Sequence, residues 1–103
     1  MSGSTADVRA QYRAQPATHA VNLDGEVLIW DPVGVQLHRL NDSAARVWNE
    51  LAQWRSAVDI VDALSAAVSV DRVRLTEDVG RCLDELSRVG LVEHREPGNS
   101  QSN

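Results

Sequence analysis

The spacing of apolar residues changes near residue 40. Before that point they gather in three short runs, residues 18–23, 26–31 and 35–40, which carry Val, Leu and Ile together with Trp30 and are separated by turn-forming residues. Runs of this length between breakers predict strands. Asp24-Gly25 joins the first two, and such a pair accepts the positive φ of a tight hairpin turn. Pro32-Val33-Gly34 predicts a second turn, because Pro presets φ and Gly tolerates a left-handed backbone. A three-stranded antiparallel meander follows.

Beyond residue 40 the apolar positions recur every three or four residues, the period of a helix. Asn41 is placed to cap the first helix, with Asp42 in its first turn and Ala44, Val47, Trp48 and Leu51 facing inward. Ser56 and Asp59 form a capping-box pattern, with Asp in place of Glu, ahead of Ile60, Val61, Leu64 and Val68. Asp71 caps a longer third helix whose stripe is Leu75, Val79, Cys82, Leu83, Leu86 and Val89, and Gly90 supplies its C′ residue before Leu91 and Val92. A helix pair joined by a short turn beside a hairpin predicts an α+β, winged-helix-like domain: the meander, then three α-helices.

That domain is expected to occupy residues 18–95. Residues 1–17 mix small and polar groups with few apolar anchors, and are expected to fray as a flexible arm. Residues 96–103 read EPGNSQSN and predict a disordered tail.

Composition narrows the function more than the fold. A chain of 103 residues, 43% of them apolar, buries one modest core and leaves no room for a second domain. Its net charge of -5 opposes binding to a phosphate backbone. On the third helix Arg72, Arg74, Arg81 and Arg88 alternate with Asp71, Glu77, Asp78, Asp84 and Glu85, the pattern of a solvated face rather than of a helix that reads bases. Every basic residue is Arg. With a single Cys, no signal-peptide pattern and no apolar run near the ~18 residues of a membrane span, the expected location is the cytoplasm.

No catalytic constellation stands out. His19, His38 and His94 lie far apart, without the ligand spacing of a metal site. Cys82 falls on the apolar stripe of the third helix, the place of a small buried hydrophobe. The chain carries no phosphate-binding Gly-rich loop, nucleophile elbow or zinc signature. We therefore expect a non-enzyme without cofactor or metal. Core burial is the expectation for Trp30, Trp48 and Trp54, with Trp54, in the link after the first helix, the candidate for a contact role.

The run Val35-Gln36-Leu37-His38-Arg39-Leu40 is unusual in showing apolar residues on both faces: Gln36, His38 and Leu40 point one way, Val35, Leu37 and Arg39 the other. A small sheet also leaves edge groups unpaired, and such an edge can accept a strand from a partner. The plainer alternatives are that the N-terminal arm covers this surface or that the edge is simply solvated.

The stretch LDGEVLIWDPVGVQLHRLNDSAARVWNEL, with VDIVDALSAAV and EDVGRCLDELSRVGLV after it, resembles the PqqD-like family of peptide chaperones, the precursor recognition elements of ribosomally synthesised, modified peptides. The likeness runs from about Ala20 to Glu93. Its most specific parts are Leu40-Asn41 followed by Ser43-Ala44-Ala45 and Val47-Trp48, then Leu83, Leu86, Gly90, Leu91 and Val92. It departs where an Asp-Gly turn commonly follows the first helix and Gln53-Trp54-Arg55 stands instead.

The resemblance implies a domain that binds the leader segment of a precursor peptide as an added strand on the third strand, and presents it to a modifying enzyme, often of the radical S-adenosylmethionine type. It further implies that Val35, Gln36, Leu37, His38 and Arg39 pair with or flank the peptide, that Leu75, Val79 and Cys82 line a groove, and that Arg74 and Asp78 sit at its rim. The expected partners are the leader and that enzyme, not nucleic acid or membrane, with the chain a monomer or weak homodimer. A winged-helix DNA-binding regulator and a small dimerisation module are the alternatives.

Overall fold

Two antiparallel three-stranded sheets and three helices make up the fold, seen in a computed structural model that describes residues 10–67 and 69–96. In chain order the elements are β1 (Gln11–Ala14), β2 (His19–Leu23), β3 (Glu26–Asp31), β4 (Gln36–Leu40), α1 (Asp42–Asn49), β5 (Arg55–Ser56), α2 (Ala57–Ser65), α3 (Arg72–Arg88) and β6 (Val92–Arg95). The α+β class and the three helices stand as the sequence predicts.

The expected meander is the sheet β2-β3-β4. Asp24 at φ 51 and Gly25 at φ 87 form its first turn, with Leu23 opposite Glu26. Positive φ at both central positions marks a type I′ turn, whose twist matches that of the strands. The second turn is longer than expected and takes up Val35, which sits at φ 54, so that β4 begins at Gln36. Asp31 organises this turn: its carboxylate is buried and accepts a hydrogen bond from the Val33 N–H at 3.0 Å.

The other sheet, β5-β1-β6, overturns the expectation of a frayed arm reaching residue 17. Gln11–Ala14 pair with β5 on one side and with β6 on the other, and Tyr12 is buried, its ring stacked on His94 with centroids 5.9 Å apart. Short as it is, β1 is fixed by two neighbours and by a core anchor. Residues 1–9 and 97–103, where most of the expected arm and tail fall, lie outside the described residues, as does Val68.

Side-chain caps fix where the helices begin. Asn41 Oδ1 accepts from the Ala44 N–H at 2.9 Å, Ser56 and Asp59 make both bonds of a capping box at 3.1 Å, and Asp71 accepts from the Arg74 N–H at 3.2 Å. The α3 terminus is a Schellman motif. Gly90 at φ 80 donates to the Ser87 carbonyl at 3.1 Å, while Leu91 donates to the Leu86 carbonyl at 2.9 Å. This turn delivers the fully buried Leu91 to the core and sends the chain directly into β6.

One core joins β1, β3, β6 and the three helices. Tyr12, Val27, Ile29, Val47, Trp48, Leu51, Ile60, Val61, Leu64, Leu75, Val79, Leu83, Leu86, Leu91 and Val92 are buried together. Val89, Trp30 and Trp54, all expected there, are not among them, and Ala44 and Cys82 are only half-buried. Val89 caps α3 on its outer side and is 43% exposed, the inward place being taken by Leu91. Trp30 is 40% exposed, because Val27 and Ile29 take the inner face of β3 and alternation turns Leu28 and Trp30 outward. No helix among the described residues is long and apolar enough to cross a membrane.

Candidate functional site

β4 lies at the edge of its sheet, hydrogen-bonded to β3 alone. Its register, Val27 opposite Leu40 and Ile29 opposite His38, assigns its two faces. Leu40 and His38 share the side of the buried Val27 and Ile29 and are half-buried, while Leu37 and Arg39 turn outward and are exposed. His38 Nε2 is a buried nitrogen that has no hydrogen-bond partner. A polar atom left in that state costs free energy.

At the Leu40 end of this edge opens a groove of about 590 Å³. One wall is the start of α1, where the Asn41 cap holds the chain so that Ala44 and Val47 point in; the other is α3, presenting Leu75, Val79, Cys82 and Leu86. Those four residues recur at positions i, i+4, i+7 and i+11, one stripe of a helix. The floor is thus apolar, and Val70 and Leu64 complete its lining.

The rim is charged but largely neutralised by itself. Asp42 pairs with Arg46 at 3.6 Å, Asp78 with Arg81 at 3.4 Å, and Glu85 with Arg88. Exposed pairs of this kind contribute little to stability. Their effect here is to leave no strong field across the groove, so its preference rests on shape and apolar contact.

Cys82 lies half-buried in this floor. Burial, with a smaller contribution from the nearby Glu85 carboxylate, pushes its thiol from an ordinary 9.0 up to about 11. A thiol held protonated in this way is a weak nucleophile.

The structure brings Leu75, Asp78, Val79 and Cys82 together in the groove and leaves Arg74 outside its lining. Gln36, Leu37, His38 and Arg39 are on the edge strand itself, and Val35 belongs to the turn before it. Ala44, Val47, Leu86, Arg81 and Glu85 also line the groove and were not anticipated there. Leu86 could have been found by extending the Leu75, Val79, Cys82 series by one turn; Ala44 and Val47 read equally well as plain core. Trp54 does have a contact role, but within the chain: the Arg13 and Arg95 guanidinium groups lie 4.7 Å and 4.2 Å from its ring centroid. Among the described residues no group of three His, Cys, Asp or Glu side chains is placed to hold a metal ion.

The family model described as Coenzyme PQQ synthesis protein D (PqqD) matches residues 26–92, which span β3 to the start of β6 and so both walls of the groove. Among solved structures, "TbiB1 in Complex with the TbiA(beta) Leader Peptide" is similar over 79% of this chain and 94% of its own, with 27% identity and a TM-score of 0.72. "Lasso peptide synthetase B1 complexed with the leader peptide" covers 80% of this chain and 96% of its own at 22% identity and a TM-score of 0.68, a likeness of fold. No curated protein matches the chain.

Proposed function

The chain belongs to the PqqD family, and on that premise we propose that it is a peptide-binding adaptor for the leader segment of a ribosomally made precursor. The leader adds a strand to the open edge of β4 and sets its inward side chains in the groove between α1 and α3. The observation that carries this reading is the adjacency of an unpaired strand edge to an apolar groove floored by Leu75, Val79, Cys82 and Leu86.

The likeness to a protein solved in complex with a leader peptide supports it. Main-chain bonds along β4 set register, and the groove selects apolar side chains on alternate residues. The groove meets the Leu40 face of β4, so Leu37 and Arg39 flank the outward side of the peptide rather than its anchor residues.

In this reading the chain has no catalytic step of its own and needs no cofactor. It works in the cytoplasm as a monomer or weak homodimer and hands the peptide to a modifying enzyme, for which the radical S-adenosylmethionine class is the family-based expectation.

The test fills the groove without removing core. Ala44→Phe and Cys82→Phe each place a ring where an inward leader side chain sits, and the probe is a fluorescein-labelled synthetic leader followed by anisotropy. We expect Kd to rise at least about tenfold, equivalent to ~1.4 kcal/mol, with far-UV circular dichroism and the urea midpoint little changed. Wild-type affinity in both folded variants overturns the groove assignment.

A further inference from the structure

The β2-β3-β4 sheet has two free edges among the described residues, and the peptide-binding reading uses only the one on β4. The other belongs to β2. Natural edge strands carry devices that stop them from pairing further: charged side chains, proline, a bulge or a covering segment. Among the described residues β2 carries none of these. Its sequence HAVNL holds no Arg, Lys, Asp, Glu or Pro, and all five of its residues are exposed. It pairs one to one with β3, from His19 opposite Trp30 to Leu23 opposite Glu26, without a bulge.

The hairpin decides which backbone groups of β2 point outward. Beside a two-residue turn the flanking pair, Leu23 and Glu26, is a hydrogen-bonded one, so alternation makes Val21–Leu28 and His19–Trp30 hydrogen-bonded pairs as well. The N–H and C=O groups of Ala20 and Asn22 therefore face away from β3. Those are the groups an added antiparallel strand would join.

We propose that this edge pairs with the same edge of a second copy of the chain. Antiparallel pairing about a two-fold axis at Val21 sets Ala20 opposite Asn22 of the partner subunit, and Asn22 opposite Ala20 of the partner subunit. Each outward N–H then meets an outward C=O. A contact that uses one patch on both copies closes as a dimer and leaves no edge of β2 for further growth. Val21 meets Val21 of the partner subunit in the closely spaced position, and His19 meets Leu23 of the partner subunit. No like charges stand opposed, which is the condition a charged edge fails. β2 joined to β2 gives one continuous sheet with a β4 at each end, so both copies keep their peptide edge and groove. The net charge of -5 on each copy works against association, and salt that screens it favours the dimer.

Sedimentation velocity of the full chain, from about 10 to 500 µM and at about 50 and 500 mM NaCl, tests this. We expect a monomer–dimer equilibrium whose Kd falls at least about threefold at the higher salt. Val21→Lys sets two ammonium groups against each other at the axis, and Ala20→Pro removes an outward N–H where an edge strand tolerates proline. Each should raise the dimer Kd at least about tenfold, with the far-UV circular dichroism retained and the Kd for a fluorescein-labelled synthetic leader within about twofold of wild type. Register is read by oxidative cross-linking. A Val21→Cys thiol lies opposite its own counterpart, with Cα atoms about 4.5 Å apart and within reach of a disulfide, whereas Leu23→Cys does not. The first should cross-link at least about tenfold faster.

A wild-type chain that stays monomeric throughout, an association that weakens with salt, or a dimer that survives both substitutions overturns the proposal. Equal cross-linking at positions 21 and 23 overturns it as well, and so does a large loss of leader affinity in the β2 variants, which would put the leader on this edge. A dimer with all the expected properties that binds no leader defeats the peptide-binding reading and leaves this one standing.

Discussion

The two sheets each carry a tryptophan beyond their outer face, and they treat it in opposite ways. On β5-β1-β6, Trp54 is clamped between the Arg13 and Arg95 guanidinium groups, Arg13 also reaches Glu93 at 2.6 Å, and Arg95 bonds Gln11 at 2.8 Å. That face is closed by the chain itself. On β2-β3-β4, Trp30 stands open among valines and leucines, every residue of β2 is exposed, and both β2 and β4 leave an edge free. The first sheet spends its side chains on cohesion, and the second leaves its edge unpaired and its outer face open.

The strongest way to break this contrast is to strike both sheets equally. Tyr12→Ala removes the anchor of β1 from the core and is expected to lower unfolding free energy by about 3–5 kcal/mol, the range for large aromatic truncations. Val21→Ala on β2, where the side chain is half-exposed, is expected to cost about 0.5 kcal/mol or less. Urea unfolding followed by circular dichroism measures both. Comparable losses would mean that the open sheet carries the fold as much as the closed one does.

Cys82 tests the groove between the open edge and α3. With its thiol pushed up to about 11, the native chain at pH 8 holds roughly 100-fold less thiolate than the unfolded chain. Iodoacetamide should modify it at least tens of times more slowly in buffer than in urea, and more slowly still with the leader bound. The sign for stability follows. The folded state retains this proton through the interval from 9.0 to about 11 while the unfolded state has released it, so stability falls as pH rises across that window. Equal rates in buffer and urea would show that the groove floor is wet.

Trp54→Ala is expected to cost about 1–2 kcal/mol, for two cation–π contacts on a partly exposed ring. Trp30→Ala should change stability less. A larger loss for Trp30 would reverse the assignment of the two outer faces.

Local chemistry made much of this legible. The Asp24-Gly25 turn, the caps at Asn41, Ser56 and Asp71, and the Gly90 terminus each declare themselves within four residues, and each stands where the sequence places it. β1 did not, because its partners lie far along the chain: Tyr12 faces Arg55 and His94, and a four-residue strand with one aromatic residue has no period to read. Trp30 was misplaced for a related reason. Val27-Leu28-Ile29-Trp30 is apolar at every position, so only pairing to neighbours decides which pair turns inward. In the site, the α3 stripe announced one wall through its helical period. The other wall, Ala44 and Val47, depends on the angle at which α1 leaves β4, a tertiary quantity.

The pairing of β1 with β6 has a further consequence for architecture. Gln11 sits directly opposite Arg95, so the first and last strands among the described residues run antiparallel side by side, about 5 Å apart. A module whose two connections lie that close can be spliced into a surface loop of a larger protein with little disturbance to the host. The same geometry that closes the β5-β1-β6 sheet makes the domain portable.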